Sequence, residues 1–180
     1  MPDELSELQE QAEEGREHPS LAPISVTMAI LAVCVAAVSL LGHRSHTEEL
    51  LSATQASDQW SYYQAKNIRR NNYEMGVDLL ALVEFKDKQQ AEKVLEKYHQ
   101  QVDRYTKEQT EIEDKAKELE KESALAQTKA NRFDFGEVFL EVALVITSIA
   151  LLTRKRLFWM LGMLLGSGGL VVATTGFLVH

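Results

Sequence analysis

Apolar residues gather in three blocks along the chain, and charged residues fill the space between them. The first block, ISVTMAILAVCVAAVSLLG from Ile24 to Gly42, carries no charge over about 19 residues, close to the ~20 an α-helix needs to cross ~30 Å of hydrocarbon. The second, FGEVFLEVALVITSIALLT, covers 135–153, and the third, LFWMLGMLLGSGGLVVATTGFLVH, covers 157–180. Only RKR separates these two, which leaves room for nothing but a tight helical hairpin with its tip among lipid headgroups. Phe158 and Trp159 follow that tip at once, as interfacial anchors do. The pattern predicts an all-α membrane protein: an acidic tail over 1–22, transmembrane helices over 23–42, 135–153 and 157–179, a basic turn over 154–156, and an extramembrane region over 43–134.

Within that region the apolar period is seven. Ala91, Tyr98, Tyr105, Ile112, Leu119, Ala126 and Phe133 form one series; Leu95, Val102, Gln109, Ala116, Ser123 and Ala130 form the other. Together they alternate four and three apart, the seam of a coiled coil, and such a stripe requires a partner helix. Geometry locates the partner. As one straight helix, 43–134 would reach about 138 Å at 1.5 Å per residue, yet both its ends must return to one bilayer. The chain therefore reverses into an antiparallel helical hairpin, with the turn expected at 85–91 in the polar FKDKQQ. Asn71, Asn72 and Gly76 offer a second, less central breaking point.

Composition changes this picture little. All three prolines precede residue 24, so nothing afterwards forbids long helices. The net charge is −8; the first 20 residues hold seven acids against Arg16. That acidic tail lacks the basic stretch of a signal peptide, so the first block reads as a retained span. No segment has the basic excess that suits nucleic acid. The lone Cys34 excludes an intrachain disulfide and a cysteine-based metal site. Basic residues in short loops face the cytoplasm, which places 154–156 and the N-terminus there and the hairpin outside. Lys115, Lys117, Lys121, Lys129 and Arg132 argue the other way, but loops longer than about 60 residues translocate largely regardless of charge.

Few residues suggest chemistry. Glu137 and Glu141 lie one turn apart in the second block, Glu141 roughly 9 Å deeper than Phe135 by helical rise. An intramembrane acid costs about 2–3 kcal/mol unless partnered or wet. Glu141 therefore snorkels or bonds a neighbouring hydroxyl, sits protonated at a helix or subunit interface, or lines an ion path. Gly162, Gly166 and Gly169 have the spacing that lets helix backbones approach closely. In SDQWSYYQAKNIRR, Trp60, Tyr63 and Gln64 share one side of a helix, while Asp58, Tyr62 and Lys66 form a ladder at four-residue spacing. These six read as an interaction surface, used against the second arm or against a protein partner. His43, His46 and Glu49 could share a helix face, but the pattern is too weak for a metal site, and none is expected. No phosphate-cradling glycine loop or nucleophile elbow occurs, so no cofactor and no enzymatic activity are expected.

The DQW-x-x-YQAK motif, the charged coil and FDFGEVFLEVALVITSIALLTRKRLFWMLG together resemble an uncharacterised bacterial membrane-protein family, Domain of Unknown Function 4337, over residues 24–180. The resemblance implies a helical protein embedded in a bacterial inner membrane and transfers no catalytic residues. Its recurring positions would be Asp58, Gln59, Trp60, Tyr63, Gln64, Ala65, Lys66, Gly136 and Glu137. The functional expectation is a non-enzymatic scaffold or interaction protein in contact with membrane lipid. It would act as a homo-oligomer joined through the seam and the glycine spacing, with a protein partner bound through the hairpin. The alternative is an oligomeric channel or transport accessory with Glu141 facing a pore.

Overall fold

A computed structural model describes residues 21–84 and 87–179. The acidic tail, apart from its last two positions, lies outside the described residues. Every described element is helical: α1 is Ala22–Ala81, α2 is Lys88–Thr153, α3 is Arg156–Thr175, and a 3-10 turn follows at Gly176–Leu178. Each of the three helices contains a stretch long and apolar enough to cross a membrane. Pro23 stands in the first turn of α1, where its missing N–H is no loss, and its carbonyl accepts from Thr27 Oγ1 at 2.8 Å.

Two boundaries differ from expectation. Helix α1 ends at Ala81 and α2 begins at Lys88, so 88–91, expected in the turn, form the first turn of α2. Asp87 sets that start, its Oδ1 accepting from the Gln90 amide at 3.2 Å as an N-cap does. The chain does not break at Asn71, Asn72 or Gly76, all inside α1. Arg156 belongs to α3, which leaves only Arg154 and Lys155 to connect it to α2; Arg154 makes the reversal at φ 57°.

The helices form two compact units: residues up to Glu48 with those from Leu125 on, and Glu49–Ala124. In the first unit the apolar parts of α1, α2 and α3 pack together. Leu31, Val38, Phe133, Leu140, Ala143 and Ala173 make one buried cluster; Leu21, Ile24, Met28, Ala150 and Leu151 make another, with Phe158 and Trp159 against it. Trp159 Nε1–H donates to Thr27 Oγ1 at 3.1 Å, joining α3 to α1. A Cβ on Gly42 would lie 3.1 Å from Asp134 Oδ1 and 3.6 Å from Phe133 Cβ. The two ends of the polar midsection therefore emerge side by side, as they must if both stand at one membrane face.

In the second unit the arms run antiparallel. Ser123 Oγ–H donates to the Glu49 carbonyl, Trp60 reaches Glu120, Lys66 reaches Glu108, and Tyr73 meets Tyr105 and Tyr98. The seven-residue seam on α2 is withdrawn from solvent along its whole length, most completely at Tyr105, Gln109, Ile112, Ala116 and Leu119 within this unit.

Candidate interaction surface

On α1 the inward positions of the hairpin are Ser52, Ala56, Gln59, Tyr63, Lys66, Arg70, Tyr73, Val77 and Leu80, again alternately four and three apart. This second seam is hard to read in the sequence because its centre is polar. The polar residues meet polar partners. Lys66 Nζ lies 2.5 Å from Glu108 Oε2, over the Tyr62 ring at 5.1 Å and the Tyr105 ring at 5.2 Å. Arg104 Nε donates to the other Glu108 oxygen at 2.7 Å. Arg70 Nη1 donates to Gln109 Oε1 at 2.9 Å, and its Nε lies 3.5 Å from Glu74. Aromatic rings flank the layer: Tyr73 stacks on Tyr105 at 5.8 Å and meets Tyr98 edge-on at 5.3 Å. Gly76 leaves room for Tyr98, whose ring would lie 2.6 Å from an added Cβ.

The two groups of expected surface residues do not each keep to one side of α1. Trp60 and Tyr63 turn inward, ring against ring at 5.6 Å, and Trp60 Nε1–H donates to Glu120 Oε1 at 2.8 Å. Lys66 also turns inward. Asp58 and Gln64 are exposed, and Tyr62 is 50% exposed. The ladder Asp58–Tyr62–Lys66 is thus split, because the long lysine side chain bends over the Tyr62 ring to reach Glu108. Tyr73, Tyr98, Arg70 and Gln109 belong to the layer and were not singled out; Tyr98 and Gln109 already stood in the α2 seam.

The charges carry a pH signature. The hydrogen bond that Lys66 donates to Glu108 raises the lysine's pKa above its ordinary 10.5, with Tyr62 beside it adding to the effect. The hydrogen bonds from Lys66 and then Arg104 hold Glu108 below its ordinary 4.5. A depressed carboxylate stabilises the fold above its unfolded pKa, and that share is lost as pH falls through the folded value. A raised lysine stabilises below its unfolded pKa and loses that share as pH rises through the folded value. Hairpin stability is therefore expected to be flat between about pH 5 and 10 and to fall on both sides. In Glu108→Gln the acid limb should shrink, as followed by hydrogen exchange of the amides around Tyr105.

In the first unit the three glycines work inside the chain. Gly162 faces Thr147 and Ala143, Gly166 faces Leu31 and Ala143, and Gly169 lies against Gly136 O and Phe139 Cβ, each 2.9 Å from an added Cβ. Gly136 meets Ala173 in turn. These glycines and the α2 seam, expected to join copies, are thus occupied within one chain, because α1, α2 and the reversal after Thr153 bring a partner helix to each. Glu137 is half-buried and Glu141 exposed, on a helix face shared with Val138, Val142 and Val145. No hydroxyl of a neighbouring helix bonds Glu141 among the described residues. His43 Nδ1 pairs with the Ser39 carbonyl at 2.9 Å, and His46 Nε2 lies 3.0 Å from Asp134 Oδ2. Among the described residues no three His, Cys, Asp or Glu side chains gather to hold a metal.

Neither the curated proteins nor the solved structures contain a match to this chain. One family model does match, over residues 20–179, nearly the whole of it. The polar-centred hairpin and the glycine-packed apolar unit are therefore those of a member of the family described as a domain of unknown function, DUF4337, to which this chain belongs.

Proposed function

We propose that the protein is a non-enzymatic, oligomeric membrane scaffold. Three spans root a helical hairpin at the face of a bacterial inner membrane, and the hairpin presents its outward surfaces to protein partners, further copies of the chain among them. The observation that carries this reading is the approach of Gly42 to Phe133 and Asp134, which brings the two ends of the polar midsection together within the apolar unit. The charges of the hairpin support it, since Lys66, Arg70, Arg104, Glu108 and Glu120 are spent on holding the arms in register. The exposed basic residues Arg154, Lys155 and Arg156 favour a cytoplasmic turn and a periplasmic hairpin. Light scattering of the detergent-solubilised full chain should give a protein mass above one copy, and a strict monomer would overturn the oligomeric scaffold.

One observation favours a second reading. Glu141 is exposed on an apolar face with no bonded partner among the described residues, as a pore-lining acid of an oligomeric channel would be. In liposomes, an ion flux that is the same for the unaltered protein and Glu141→Gln would dismiss it.

A further inference from the structure

The hairpin covers the polar-centred stripe of α1 and leaves an apolar one uncovered. Ala65, Ile68, Asn72, Met75 and Leu79 follow one another at alternating spacings of three and four, on the side of α1 away from Lys66 and Tyr73, with Leu82 next in the series one residue past its end. Ile68, Met75, Leu79 and Leu82 are between 56 and 83% exposed. The other arm does not share this feature: between Lys88 and Ala124, among the described residues, α2 exposes no large hydrophobic side chain. Exposed apolar stripes of seven-residue period on a polar helix are contact surfaces.

We propose that this stripe binds the same stripe of a second copy, so that two hairpins pair through α1 in parallel and in register. The proposal rests on the membrane-scaffold reading and names the surface that joins its copies. Two copies of one topology in a bilayer are related by an axis along the membrane normal, which makes their α1 helices parallel and sets each residue against its own counterpart. The stripe is built for that symmetry. Ile68, Met75 and Leu82 meet their equivalents as apolar layers, and Asn72 meets Asn72, where two side-chain amides can each donate to the other; a single core asparagine fixes register and copy number. The flanking positions of α1 that face across such a pair are Gln64 with Arg69 and Asn71 with Gly76, so no like charges are opposed. Five exposed side chains, with Val83 beside Leu82, at about 100 Å² each on two copies give on the order of 1,000 Å², enough for a specific contact.

Cysteine crosslinking in proteoliposomes tests this, with full-length protein in a Cys34→Ala background. Under mild oxidation Met75→Cys should give a disulfide-linked dimer, while Lys107→Cys, exposed on α2, should stay near background. The double substitution Ile68→Asp with Leu79→Asp should reduce the dimer fraction by about tenfold or more without loss of helical circular dichroism. If Met75→Cys crosslinks no better than Lys107→Cys while light scattering still gives a multiple of the chain mass, the stripe is not the contact and the scaffold reading stands. A monomeric mass overturns both. Expressed in native membranes, Met75→Cys linked to a different protein in place of a second copy would also overturn the pairing.

Discussion

Gly136→Val should be among the most damaging single substitutions in the apolar unit, costing about 3 kcal/mol or more. A Cβ at Gly136 would lie 2.7 Å from Ala173 Cβ and 3.0 Å from Ala173 Cα and N. Two of those three atoms are backbone, so no rotamer change relieves the clash, and α3 must move away from α2. Gly169 would lose its place with it, since its position depends on the closeness of Gly136 O. In a bilayer this matters more than in water. Lipid tails are as apolar as leucine, so helices associate through close packing and hydrogen bonds, which separation removes together. Gly168→Ala is the control: nothing lies within 4 Å of its added Cβ. It should be neutral or stabilise by up to about 1 kcal/mol through helix propensity. Unfolding titrations in mixed micelles, read by Trp159 fluorescence, check both. Gly136→Val behaving like Gly168→Ala would show that α2 and α3 do not pack at Gly136.

Legibility in the sequence followed where free energy is large and local. The three apolar blocks were plain because spanning hydrocarbon demands an unbroken run of side chains, and the α2 seam was plain because Tyr105, Ile112 and Leu119 mark an apolar period. The need for reversal followed from the expectation that both ends return to one bilayer, and Gly42 beside Phe133 and Asp134 fits it. Its position was less legible, since a polar stretch such as FKDKQQ tolerates a turn anywhere within it. What decided was the capping oxygen of Asp87, a single hydrogen bond.

The surface residues of α1 were the least legible, for a physical reason. That arm has two stripes of the same period. One is apolar at Ile68, Met75 and Leu79; the other is polar at Gln59, Lys66 and Arg70. Apolar pattern alone assigns the first to the interior. The fold selects the second, because Glu108, Gln109 and Glu120 on α2 answer Lys66, Arg70 and Trp60 with hydrogen bonds. A pairing preference between two helices is a property of both sequences at a register neither one reveals. Spacing groups Lys66 with Asp58 and Tyr62, apart from Trp60 and Tyr63, because its reach to Glu108 is invisible to periodicity.

Tyr105 is where that hairpin should be most vulnerable. Its side chain is 8% exposed, stacked on Tyr73, beneath the Lys66 ammonium and beside Arg104, whose guanidinium carbon lies 6.0 Å from the ring centre. Tyr105→Ala removes a buried ring and leaves a cavity at the polar layer, with an expected loss of about 3 kcal/mol. Lys66 would keep Glu108 but lose the ring face beneath its ammonium, so the Lys66–Glu108 pair should weaken as well. Tyr105→Phe keeps the ring and should cost less than about 1 kcal/mol. Native-state hydrogen exchange of the full chain in detergent distinguishes these outcomes by location. In Tyr105→Ala, amides near Lys66, Tyr73 and Tyr98 should lose protection, while those of Leu140 and Ala143 in the other unit keep theirs. Equal protection near Lys66 in Tyr105→Ala and the unaltered protein would mean that the arms are held together elsewhere than at this layer.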